Sequence, residues 1–214
     1  MTITEPDQDK QSVMESMMES KPSLIRSNRA AIIKRHLVSA KVPPRFMTAL
    51  LSDFSFDTSG LAWQSLFLTG SRGVGKTHLI AALIRQQISD QLDNTCPDGE
   101  LNSAMQFASI PEVLLEIRRS FDVKEVSESD LINHYTNIGW LYLDDLGVEK
   151  PSEWVLQTLY LIIDRRYRNL KQTIISSNYN LQEISDRLDD RISSRIAGMC
   201  KVCRLSGLDR RLSK

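Results

Sequence analysis

The run Gly70-Ser71-Arg72-Gly73-Val74-Gly75-Lys76-Thr77 sets glycines, a lysine and a hydroxyl at G-x-x-x-x-G-K-[ST] spacing. Glycines let successive backbone N–H groups turn towards phosphate oxygens, and a helix that begins there adds positive potential. Gly70, Gly73, Val74, Gly75, Lys76, Thr77 and His78 form the candidate nucleotide cradle. Lys76 would reach the β- and γ-phosphates of ATP, and Thr77 would ligate Mg²⁺. A cradle of this kind needs an acid on a neighbouring strand. "WLYLDDLG" supplies Asp144 for the metal and Asp145 to polarise an attacking water. "TIISSN" ends in Asn178, which would touch the γ-phosphate and the water if its strand lies between the other two.

Weaker signals come from elsewhere in the chain. Arg118, Arg119 and Phe121, with Lys124 beyond, put a basic pair beside an aromatic. That combination suits a single-stranded nucleic-acid backbone and a stacked base. The alternative is a solvated helix end with Phe121 in the core. Cys200-x-x-Cys203 has no second pair and no nearby histidine, so it reads as a buried structural pair rather than a zinc site. His36, His78 and His134 are scattered and form no ligand cluster.

Strands and helices that alternate must position these groups. Strand-like runs are Leu66–Thr69, Met105–Ile110, Trp140–Asp144, Thr173–Ser177 and Val202–Leu205. Helical periodicity covers Thr77–Ile88, Pro111–Phe121, Ser127–Asn137, Pro151–Leu170 and Leu181–Met199, the last broken near Leu188. Pro111 and Pro151 are placed at first helical positions, and Ser127 with Asp130 forms a capping pair. The alternation predicts an α/β fold with a parallel sheet between helices. Ahead of it, residues 24–38 read as an amphipathic helix bearing Leu24, Ile25, Ile32, Ile33 and Leu37. "KVPPRF" ends it, and a short helix over Phe46–Leu51 is expected next.

Composition narrows the class further. The 214 residues are 41% hydrophobic and 25% charged, enough for one domain with an N-terminal extension. No apolar stretch approaches the ~20 residues of a membrane span. The polar, acidic start is unlike a signal peptide, and three cysteines do not make a disulfide framework, so a reducing cytoplasm is expected. Lysine plus arginine and aspartate plus glutamate balance at 27 each, but unevenly. Residues 1–20 hold five acids and one base, residues 21–41 six bases and no acid, and residues 191–214 seven bases against Asp209 alone. Two basic segments therefore await an anionic partner or solvent.

"GSRGVGKTHL", "LYLDDLGVEKPSEWVLQTLYLIIDRRY", "TIISSN" and "LDDRISSRIAGMC" together resemble the DnaC/IstB-like branch of AAA+ ATPases, from about Val42 onward. The resemblance implies a five-stranded parallel sheet with the Asn178 strand between the strands of the cradle and of Asp144. It implies that Asn178 is sensor 1 and that Arg195 is an arginine finger acting on a neighbouring subunit's ATP, with Arg191 one turn earlier. Hydrolysis would then depend on self-association into an open ring or spiral. It also places Arg118, Arg119 and Phe121 on single-stranded DNA in a central channel, and a replicative DNA helicase on the N-terminal extension. Residues 1–41 are accordingly expected to be a tail with a partner-binding helix, and residues 42–214 the AAA+ domain. Two departures stand out. Asp145 is one methylene shorter than the family's usual glutamate, which points to slow turnover. Only nine residues follow Leu205, so no C-terminal helical lid domain is expected, and Arg210 and Arg211 are the candidates to replace its arginine.

Three functions compete for this set of residues. The first is an ATP-dependent helicase loader in DNA replication. The second is a transposase-helper ATPase that clamps duplex DNA, and the third a small metabolic kinase. The kinase explains the cradle but leaves Arg195 and the Asn178 strand without a role.

Overall fold

A computed structural model describes residues 29–94, 100–121 and 126–211. Five parallel strands, β1 Leu66–Thr69, β2 Met105–Ser109, β3 Trp140–Leu146, β4 Gln172–Ser177 and β5 Lys201–Arg204, form one sheet in the order β2-β3-β4-β1-β5. β4 therefore lies between β1 and β3, as the resemblance implied. All four β1 residues are buried. Leu66 and Leu68 belong to one core and Phe67 to the other, the consequence of a period-two backbone with helices on both faces.

One face carries the described part of α1, residues 29–39, and α2, Lys76–Asn94. Leu79, Ile80, Leu83, Ile84 and Ile88 of α2 pack there with Leu66, Leu68 and Ile174. The other face carries α3 Ile110–Arg119, α4 Glu128–Asn137, α5 Glu153–Arg168, α6 Leu181–Arg187 and α7 Asp190–Met199. Among the described residues no helix is long and apolar enough to cross a membrane.

Several local expectations need correction. The helix expected over Phe46–Leu51 is replaced by two 3₁₀ turns, Pro44–Phe46 and Leu51–Asp53; six residues are in any case short for an α-helical nucleus. Pro151 lies just outside α5. Ser152 caps that helix instead, its side chain accepting from the Val155 N–H. The Ser127–Asp130 capping box is present at α4. Cys200 belongs to the core beneath α5 and α7, whereas Cys203 packs against the opposite core, so the two are not a pair. Burial pushes the Cys200 thiol up to about 12.

The largest departure concerns the extension. Ile33 and Leu37 of α1, with Ala40 and Val42, are buried in the same core as α2. The Phe107 N–H donates to the Ala40 carbonyl at 2.7 Å, and Arg29 grips Asp93 and the Ser89 hydroxyl of α2. Residues 29–41 are thus built into the body, and the apolar face expected in a partner's groove is satisfied within the chain from Ile33 onward. Leu24 and Ile25 lie outside the described residues.

Candidate functional site

The C-terminal ends of β1, β3 and β4 open onto a cleft of about 550 Å³, lined among others by Arg72, Gly73, Gly75, Lys76, Thr77, His78, Asp145 and Asn178. The loop from Gly70 to Gly75 makes the turn from β1 into α2 with three glycines at positive φ, Gly70, Gly73 and Gly75. Gly70 is also required by contact: a Cβ there would run into the Leu205 carbonyl just past β5. Val74 is buried in the core beneath the loop.

Lys76 is buried at the first turn of α2. Its ammonium donates to the Gly70 carbonyl at 2.7 Å, the Ser71 carbonyl at 2.9 Å and Asn178 Oδ1 at 2.7 Å. Those bonds use its three donors and link the loop to the end of β4. Desolvation holds its pKa below the usual lysine value, partly opposed by Asp145 and Asp144. A polyanion in the cleft would favour the charged form.

Thr77 Oγ1 donates to Asp144 Oδ2 at 2.8 Å. Asp144 is 5% exposed, and burial raises its pKa, an effect Asp145 reinforces and the Ser176, Thr77 and Lys76 contacts oppose. The folded chain therefore keeps a proton on Asp144 at a pH where the unfolded chain has lost it. That contribution to stability is present at low pH and disappears as pH rises through the raised value. A buried carboxylate beside a hydroxyl is a hard oxygen donor set that fits Mg²⁺, and a divalent cation there would keep Asp144 ionised.

Ser176 carries a role that the sequence reading missed. Its hydroxyl donates to Asp144 Oδ1, and its oxygen accepts the Asp145 N–H at 3.1 Å. Asp145 sits at φ 62°, in the left-handed region, where β3 slips register against β4 between Leu143 and Leu146. One side chain of β4 thereby orients the first acid and anchors the backbone of the second. Ser176→Ala should raise the Mg²⁺ concentration for half-maximal ATP turnover about tenfold, the usual scale for a lost outer-shell partner. ATP binding without the metal should stay at the parent value. Superimposable Mg²⁺ titrations for variant and parent would refute the role.

The cleft has an aromatic wall that motif reading also missed. His78 Nε2 lies 2.6 Å from Asp53 Oδ2, and its ring meets Phe46 and Phe54 edge-on. Arg210 stacks over Phe54 at 4.5 Å and reaches the Asp53 carbonyl, while its own N–H donates to the Gly73 carbonyl. Arg210 and Arg211 both line the cleft.

Arg195 lies away from this cleft, on α7, where its Nε donates to Asp164 Oδ1 of α5 at 2.8 Å. Arg191 bonds Asp189. Arg118 and Arg119 are exposed at the end of α3, and Phe121 is 55% exposed rather than tucked into the core. Phe121 meets Trp154 edge-on at 6.0 Å, and Arg118 lies 4.9 Å over the same indole. Lys124 lies outside the described residues.

The bacterial DnaA ATPase domain family matches residues 47–202. The replicative helicase loader DnaC of Escherichia coli K12 is 24% identical over 132 residues, covering 62% of this chain and 49% of that protein. The chain thus spans about half the length of the curated relative it matches. The crystal structure of the DnaC helicase loader superposes with a TM-score of 0.61 at 24% identity, over 77% of this chain and all of that one. A replication initiator DnaA bound to AMPPCP and single-stranded DNA gives a TM-score of 0.59 at 20% identity, over 78% of this chain and 51% of that one.

Proposed function

The chain belongs to the bacterial DnaA ATPase domain family, and from that premise we propose that it is an ATP-dependent loader of a replicative DNA helicase. The observation that carries the reading is two hydrogen-bonded pairs, Lys76 with Asn178 and Thr77 with Asp144, brought side by side at the ends of three adjacent strands. Gly70, Gly73, Val74, Gly75, Lys76, Thr77 and His78 cradle the nucleotide. Lys76 takes the β- and γ-phosphates, and Thr77 with Asp144 holds Mg²⁺, which when bound neutralises phosphate charge. Asp145 polarises the attacking water, and Asn178 orients it. Arg195 completes the site of the next subunit, so turnover requires an assembly such as an open ring or spiral.

Arg118, Arg119, Phe121 and Trp154 offer guanidinium groups and ring faces suited to single-stranded DNA. The helicase contact falls on the N-terminal extension ahead of residue 29, because α1 is committed to the body. The relatives named above are replication proteins, which favours a loader over a transposase helper.

The test pairs two readouts on the full chain and on a form lacking residues 1–28. ATP-dependent binding of a labelled single-stranded oligonucleotide should survive the truncation, whereas capture of the native replicative helicase should be lost. Preference for duplex would point to the transposase helper. Phosphate transfer to a small molecule would overturn the loader reading. Deleting to residue 41 instead would strip Ile33, Leu37 and Ala40 from the core and confound the result.

A further inference from the structure

Two arginines of α7 each lie across a tyrosine of α5. Arg191 sits 5.0 Å from the ring centre of Tyr160, and Arg195 5.1 Å from that of Tyr167. Residues 191 and 195 are one helical turn apart, and residues 160, 164 and 167 share one face of α5, so the two rows meet in register. Asp164 stands between the tyrosines with its side chain 10% exposed. One of its oxygens takes Arg195 Nε at 2.8 Å, and the other takes Arg168 Nε at 2.9 Å. The neighbouring Gly198 makes room for this arrangement: a Cβ there would stand 3.0 Å from the Tyr167 ring.

We propose that Asp164 and Tyr167 are positioning residues that hold Arg195 extended and oriented for a neighbouring subunit's nucleotide, which rests on Arg195 being the residue that completes that site. A long guanidinium side chain has many rotamers in solution, and each must be given up when it meets a phosphate. Here the carboxylate engages the Nε edge and the ring engages the flat face. That fixes the side chain before assembly, with the Tyr160 hydroxyl also against the guanidinium and the side chain still 36% exposed.

The same contacts are too weak to act as a lock. An ion pair whose arginine is open to solvent is worth little in water, and Asp164 divides one negative charge between Arg195 and Arg168. A polyphosphate outcompetes it without obstruction. Hydrogen bonding from Arg195, chiefly, keeps the Asp164 carboxyl below the ordinary aspartate value, so it stays ionised at neutral pH.

Asp164→Asn keeps the side-chain volume and removes the charge. With ATP, Mg²⁺ and single-stranded DNA, its turnover should fall about tenfold or more, the scale of an ångström-sized misplacement. Its ATP affinity should match the parent, because the cradle lies elsewhere in the fold. Adding Lys76→Ala protein, which brings an intact α5–α7 face and a disabled cradle, should restore turnover at the Asp164→Asn cradles. Arg195→Ala serves as the reference. Parent-level turnover in Asp164→Asn, with Arg195→Ala inactive, overturns the positioning role and leaves the trans-acting arginine standing. A loss that mixing does not repair overturns it too, since the defect then lies within one subunit. If Arg195→Ala itself retains parent turnover, the trans-acting reading falls first, and this proposal with it.

Discussion

Lys76→Ala is expected to bind ATP on the order of a hundredfold more weakly and to lose measurable hydrolysis, because two charge-assisted hydrogen bonds to phosphate are worth ~3 kcal/mol. The structure separates this loss from misfolding. Lys76 is a buried cation whose pKa desolvation already lowers, so its charge opposes folding more than it supports it. The unfolded chain holds that proton more firmly than the folded one, and stability therefore rises as pH climbs through the depressed value towards 10.5. Without nucleotide, the variant should melt close to the parent. With ATP at ~100 times the parent's Kd, the parent should gain ~2.7 kcal/mol and the variant almost nothing. Differential scanning calorimetry with and without ATP and Mg²⁺ reads both effects. A full ATP-induced shift in the variant would remove Lys76 from the site, and with it the cradle as described.

What the sequence made legible follows from how local each feature is. The bend from β1 into α2 is set by three glycines within six residues, so its form and its lysine can be read without knowing the rest of the fold. The Ser127–Asp130 cap is local for the same reason. Ser176 is different. Its neighbours in sequence look like those of any apolar strand, and its role appears only once β4 lies beside β3 with a slipped register. The wall of the cleft is more remote still, since Asp53 and Arg210 are 157 positions apart. Amphipathic periodicity in α1 announced a face to bury but not what would bury it. The Phe107-to-Ala40 hydrogen bond and the shared core supply that answer. Arg195 lies between these cases. The resemblance assigns it a partner in another subunit, while the structure shows its resting contacts on α5.

Arg166 illustrates a determinant of stability that no motif marks. Its side chain is fully buried, with no exposed surface, in a helix whose other arginines are half-buried (Arg165) or exposed (Arg168). The guanidinium donates through Nε to Thr173 Oγ1 at 2.9 Å. Through Nη1 it reaches the carbonyls of Tyr135 at 2.9 Å, Thr136 at 3.2 Å and Ile138 at 2.9 Å, and through Nη2 the Gln172 carbonyl at 2.6 Å. Tyr135 and Thr136 belong to the last turn of α4, whose carbonyls have no helical donors of their own and carry the negative end of the helix dipole. One side chain thus caps α4, fixes the turn into β3 and holds the start of β4. Burial pushes its pKa down to about 10, still far enough above neutral for the charge to persist.

Arg166→Ala removes every one of these donors at once and leaves several buried carbonyls unpaired beside a cavity. The expected cost is ~4 kcal/mol, the scale of breaking a buried charged network, or a fall in melting temperature of about 10 °C for a chain of this size. Arg166→Lys should lie between the two, since an ammonium offers three donors from a single point and cannot span all the carbonyls. Urea unfolding of the nucleotide-free proteins measures this directly, through a lower midpoint at an unchanged slope. ATP affinity of whatever remains folded should match the parent, because these contacts lie at the opposite end of the strands from the cradle. An alanine variant within ~1 kcal/mol of the parent would mean that solvent or relaxation satisfies the carbonyls, and that Arg166 is not what holds α4 to the sheet.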